Sequence, residues 1–214
     1  DALPISCIQH VLGGAGYHTA QVGKLHFRNI QPRDRGERHP AYGFHTMLLA
    51  EHNAPGFHDL YDLWAAERAP DADVRDMGSR ANWEAPDFQH PTEQFHASMP
   101  MHFQEDPELT LTAMVCDEAA GFLRQRQGRG PWFCHVGIFA PHNPFNPPAI
   151  YADRYDPASL PSPIMSEAER GNGTGLSDAD WRASKAHYYA MVSEVDAQLG
   201  QLLAVLDATG QRDD

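Results

Sequence analysis

The chain has 214 residues, enough for one sizeable domain with a buried core. Hydrophobic residues make up 42% and charged residues 21%, which excludes a chain disordered throughout. A formal net charge of -13 argues against a nucleic-acid partner, since phosphate backbones need a basic face. It leaves open a small anionic substrate met by a few local cations.

The opening Asp1-Ala-Leu-Pro-Ile5 reads in two ways. It is either the translation of a sequencing-adapter tail, with natural sequence from Ser6 or Cys7, or an ordinary N-terminal loop. Ile8, Val11, Leu12 and Ala15 recur at helical steps, and Gly16 supplies the left-handed position that ends a helix. Thr19 to Leu25 then predicts a short strand. Side chains alternate in an extended chain, so Lys24 and His26 point the same way and Leu25 points into the core. A cation beside a proton carrier suits a phosphate or sulfate ester. A strand ending in two solvated polar residues has the same spacing.

From Arg28 to Pro40 the chain is polar, with Arg28, Arg33, Arg35 and Arg38, and reads as a solvated loop that could also shape an anion site. The stretch 54–104 is dense in Pro, Asp, His and aromatics without sustained periodicity, and reads as a long irregular insertion. Its Trp64, Trp83, Phe88 and Phe95 either line a pocket or pack the loop. Order returns at Asp106-Pro107. Leu111, Met114, Val115, Ala119, Phe122 and Leu123 share a helical face, and Arg124 and Arg126 suit the helix C-terminus. Trp132 to Ala140 is a near-continuous apolar run, the pattern of a strand buried on both faces, which Pro141-His-Asn-Pro-Phe-Asn-Pro-Pro148 ends abruptly. Ser177 and Asp180 form a capping-box start for a last long helix. Along it Tyr189, Val192, Val195, Leu199, Leu202, Leu203 and Leu206 follow at three- and four-residue steps, and Gly210 closes it.

Cys7, Cys116 and Cys134 are odd in number and widely spaced, so neither a disulfide framework nor a zinc knuckle organises the chain. No run approaches the roughly 18 apolar residues of a membrane span. Helix and strand alternate between long loops, which predicts an α/β sandwich around a buried sheet. His142 directly follows the second strand, between prolines that fix it locally. If both strands run parallel in one sheet, Lys24, His26 and His142 meet at the carboxyl rim, where open α/β folds bind ligands. A histidine in a proline-rich turn has the same sequence.

Three stretches resemble the sulfatase family of the alkaline-phosphatase superfamily. Gly16-Tyr-His-Thr-Ala-Gln-Val-Gly-Lys-Leu-His26 looks like that family's second signature. Phe139-Ala-Pro-His-Asn-Pro144, with Pro147-Pro148, Tyr151 and Tyr155-Asp-Pro157, looks like its proline-histidine loop. Tyr188-Tyr-Ala-Met-Val-Ser-Glu-Val-Asp196 with Gly200-Gln-Leu-Leu203 resembles the helix before its last metal-binding strand. The resemblance implies an alkaline-phosphatase-like α/β sandwich with a central, mostly parallel sheet flanked by helices. It further implies a hydrolase of small-molecule sulfate esters that uses a formylglycine made from Cys or Ser and a divalent cation, usually calcium. Lys24 would neutralise the ester oxygens and hold the nucleophile, His26 would hydrogen-bond that nucleophile and assist sulfate elimination, and His142 would contact the ester oxygen and protonate the leaving group. Lys24 and His142 are thus also the substrate-binding residues.

Departures from the pattern accompany the likeness. The family's Cys/Ser-x-Pro/Ala-x-Arg nucleophile motif is missing, and Ser6-Cys-Ile-Gln-His10 has neither its proline nor its arginine. The early acidic metal ligands and the later Asp-His/Asn-Gly motif are missing too, so no metal ligand is assigned. Leu25 stands where an aromatic is commoner, which admits relatives acting on phosphonate or phosphate esters. The expectation is a partial sulfatase catalytic domain over 1–214, truncated at both ends and inactive alone. A phosphonate monoester or phosphodiester hydrolase is the alternative within the superfamily, and a non-catalytic binding protein with a degenerate sulfatase fold is the alternative outside catalysis.

Overall fold

A computed structural model describes residues 7–25, 40–50, 60–72, 74, 100, 102–162, 164–167 and 177–213. Helix α1 spans Ile8–Gly14, with Cys7 at its N-cap, and the chain turns at Gly16, whose φ of 90° is the left-handed conformation glycine tolerates. Strand β1, His18–Gly23, follows and is buried from Thr19 onward. Strand β2 spans Thr46–Leu48 and β3 spans Trp132–Gly137. The described sheet is wholly parallel in the order β2-β1-β3, with Ala20 opposite Thr46 on one side and Cys134 on the other.

Between β2 and β3 lie helix α2, Leu60–Arg68, and helix α3, Leu111–Arg126. Asp106 caps a short 3-10 turn, Pro107–Leu109, and Thr110 then caps α3 by accepting from the Ala113 amide at 3.0 Å. The inward face of α3 carries Leu111, Met114, Val115, Ala119, Phe122 and Leu123, as its spacing predicts, and packs with Ala20 and Val22 of β1 into the main core. After β3 the proline-rich loop leads into the short helix α4, Ala149–Ala152, and the 3-10 turn Pro157–Ser159. The long helix α5, Asp178–Thr209, completes the described fold, with the Ser177–Asp180 capping box at its start and Gly210 in the left-handed conformation at its end.

Three sequence readings change. Strand β3 is half-buried rather than buried on both faces, because it forms one edge of the described sheet and leaves His135 exposed. Within 54–104, read as irregular, α2 is helical and sets Tyr61, Trp64 and Ala65 into the core. Trp83, Phe88 and Phe95 lie outside the described residues. The apolar steps along α5 also turn partly outward. Val192, Leu199 and Leu203 are exposed, whereas Ala190, Met191, Glu194, Gln198 and Leu202 face inward.

Candidate active site

Parallel pairing sets the carboxyl ends of β1 and β3 side by side, with Gly23 opposite Gly137. Lys24 leaves β1 at this rim, and its amide donates to the Gly137 carbonyl at 2.7 Å. The approach is close enough to demand glycine. A Cβ on Gly137 would collide with the Lys24 carbonyl, and one on Gly23, at φ 86°, would collide with the Gly137 carbonyl.

Gln21 holds the same backbone from inside. It is fully buried, and its Nε2 donates to the carbonyls of Gly23 at 3.2 Å and Lys24 at 3.1 Å. With the amide nitrogen so used, Oε1 accepts from His135 Nδ1 at 2.6 Å. Sequence reading missed Gln21. The available signal was an amide inside an otherwise small and apolar buried strand, where its polar atoms need partners.

Beyond β3 the chain continues through Ile138 into the buried Phe139 and the loop that carries His142. The Lys24 ammonium lies 4.3 Å from the centre of the Phe139 ring, a cation–π distance. The His142 ring lies 4.6 Å from the same ring, tilted by 41°. Phe139 thus joins the two residues that sequence reading set on one rim. Leu25 is buried as expected, whereas His26 lies outside the described residues.

The His142 amide donates to the Phe139 carbonyl at 3.1 Å, closing a turn. His142 Nδ1 meets the Asn143 carbonyl at 2.6 Å. A carbonyl only accepts, so Nδ1 carries a proton and Nε2 is left for chemistry on the exposed side. The Ala140–Pro141 and Asn143–Pro144 bonds are cis. The loop is braced on α5 by Phe145 against Tyr188, with ring centres 5.9 Å apart, and further on by Tyr155, whose hydroxyl hydrogen-bonds that of Ser193 at 2.6 Å. The Phe103 amide donates to the Pro147 carbonyl at 3.1 Å and steadies the other side.

Burial pushes the Cys116 and Cys134 thiols up to about 12, which removes both as thiolate nucleophiles near neutral pH. Cys7 is the N-cap of α1. Among the described residues no three His, Cys, Asp or Glu side chains converge where a cation could sit. These residues therefore do not fit the divalent ion that the resemblance implies, and the chemistry open to them is that of a fixed ammonium and an imidazole.

The sulfatase family model matches residues 1–214, the whole chain. The chain belongs to the sulfatase family. This sulfatase chain is 29% identical over 224 residues to an arylsulfatase of Clostridium perfringens, covering 92% of the chain and 42% of that relative. It is 24% identical over 221 residues to a choline-sulfatase of Rhizobium meliloti, covering 96% of the chain and 39% of that relative. Its fold is similar to that of a phosphonate monoester hydrolase of Agrobacterium radiobacter, with a TM-score of 0.69, 22% identity, and coverage of 98% of this chain and 45% of that one. The sulfatase chain thus spans less than half the length of each. Its parallel sheet between helices is the alkaline-phosphatase-like α/β architecture expected from the sequence. No helix among the described residues is long and apolar enough to cross a membrane.

Proposed function

We propose that the protein hydrolyses sulfate esters of small molecules, with Lys24, His26 and His142 as catalytic residues. The observation that carries this reading is the meeting of Lys24 and His142 on Phe139 at the carboxyl rim of β1 and β3, in a chain that matches the sulfatase family throughout. Cleaving a sulfate ester spreads negative charge over the sulfuryl oxygens and the departing oxygen. A preset ammonium stabilises that charge more in the transition state than in the bound ester. His142, its Nδ1 proton committed to the Asn143 carbonyl, presents Nε2 to the ester oxygen and, when protonated there, donates to the leaving group. His26 is assigned the hydrogen bond to the nucleophile. The nucleophile is taken to be a formylglycine and the divalent cation calcium, and neither is assigned to a residue of this chain.

A second reading, hydrolysis of phosphonate monoesters or phosphodiesters, is supported by the likeness of fold to the Agrobacterium phosphonate monoester hydrolase and by Leu25 at the position between Lys24 and His26. The same cation and imidazole serve either tetrahedral ester. The test is turnover of the sulfate and the phenylphosphonate ester of one phenol by the protein translated from its complete open reading frame. Faster turnover of the sulfate ester is expected, and the reverse order selects the second reading. Lys24→Ala and His142→Ala should each lower kcat/KM by roughly a hundredfold or more. Turnover of neither ester by the intact protein would refute the enzyme and favour a binding protein.

A further inference from the structure

Glu194 lies on the inward face of α5 and is 3% exposed. Thr110, the N-cap of α3, donates its hydroxyl proton to Glu194 Oε1 at 2.6 Å while accepting from the Ala113 amide. The carboxyl also lines a cavity of about 30 Å³, too small for a substrate, whose wall includes Thr110, Phe139, Ala140, Asn146 and Met191. Phe139 is the ring on which Lys24 and His142 meet, and Ala140 begins the turn that carries His142. The carboxyl and the candidate catalytic pair therefore share one side chain between them.

No cation among the described residues faces Glu194 across this cavity. Among the described residues the ionisable groups that feel its charge are the Cys116 thiol on α3 and the Tyr151 phenol on α4. Burial and then the Glu194 charge push both up, while on Tyr151 the Arg154 guanidinium, 4.8 Å over its ring, pulls down and Glu108 pushes up. The loop side contributes only the uncharged Phe139, Ala140 and Asn146. Among the described residues an anion at Glu194 would have no compensating charge, a costly arrangement that a packed interior relieves by moving its wall or admitting water.

We propose that Glu194 is a positioning residue for the His142 loop, keeping Phe139 in contact with Lys24 and His142 while it holds its proton and loosening those contacts when it ionises. The proposal rests on the functional reading only in taking Lys24 and His142 as the groups that need placing. Burial raises the Glu194 carboxyl to about 7 against the pull of the Thr110 hydrogen bond, so the change falls near neutral pH.

The test follows the Phe139 ring resonances and the Glu194 carboxyl carbon by NMR across neutral pH. His142→Gln protein is used, so that the imidazole beside the ring cannot contribute. The ring should shift with a midpoint near pH 7 that coincides with that of the carboxyl, and Glu194→Gln added to His142→Gln should abolish the ring's shift. A ring shift that survives in the double variant, a ring that does not titrate with Glu194 present, or separate midpoints would overturn the proposal. The two midpoints in the single variant decide even if the double variant does not fold. In the intact enzyme with His142 in place, Glu194→Gln should remove an alkaline fall in kcat/KM. If the enzyme turns over neither ester, the functional reading fails while the ring titration still decides the role of Glu194.

Discussion

Gln21 is the side chain whose loss Lys24 would feel most directly. Replacing it with leucine removes the donors to the Gly23 and Lys24 carbonyls and the acceptor for His135 Nδ1 in a single change. The Gly23 carbonyl keeps the Ala50 amide at 3.4 Å and His135 is exposed to water, so Gln21→Leu should lower stability by about 1–3 kcal/mol in urea unfolding, the scale of one buried group losing its partner. An unaltered midpoint would show that the clamp is idle. Lys24 and His142 were legible in the sequence because each is a polar group placed directly after an apolar run. Gln21 was not, because its importance comes from two carbonyls that only the turn at Gly23 brings within reach. Phe139 escaped notice for a related reason. As one of several apolar residues after Trp132, it gave no hint that two polar side chains would meet on its ring.

The elements were read better than their surroundings. Helix α3 and the caps of α5 followed from residue type and spacing, since amphipathic steps and capping boxes are local properties. Burial of β3 did not follow, because composition fixes what a strand can tolerate and not how many neighbours it has. Helix α5 makes the same point. Its inward face mixes alanines with Met191, Glu194, Gln198 and Leu202, a weaker periodic signal than the leucines and valines turned outward. The junction of β1 and β3 gives the sharpest prediction at this scale. In Gly137→Ala the new Cβ meets the Lys24 backbone, which cannot rotate away as a side chain would. Overpacking of this kind costs about 1–3 kcal/mol, and here the relief must come from parting the two strands. Gly137→Ala should therefore be less stable by at least that amount and lose activity out of proportion to stability. The two effects are separated by comparing urea unfolding with kcat/KM at a temperature where the variant is fully folded. A stable, fully active Gly137→Ala protein would refute the tight junction.

For the molecule as a whole, the buried Glu194 ties stability to pH. In the unfolded chain its carboxyl loses a proton near 4.5, and in the folded protein near 7. Below 4.5 both states hold the proton and the contribution to stability is complete. Between 4.5 and 7 the unfolded state has released it and the folded state has not, so each rise in pH favours unfolding. Above 7 both states are ionised and the trend levels off. The loss across that window is roughly 3 kcal/mol, at about 1.4 kcal/mol per pH unit. Urea unfolding of the protein and of Glu194→Gln from about pH 4 to pH 8 should show a stability difference that shifts against the wild type across this window. A difference independent of pH would show that Glu194 is already ionised in the folded protein at pH 5.

The lock at Lys24 also has an entropic side. Its amide is bound to the Gly137 carbonyl and its carbonyl to Gln21, so the backbone from which the ammonium projects is satisfied at both polar atoms. Such an amide is protected from exchange with solvent while the carboxyl ends of β1 and β3 stay paired. The freedom of this segment is given up once, as the chain folds, and not again at each encounter with a ligand.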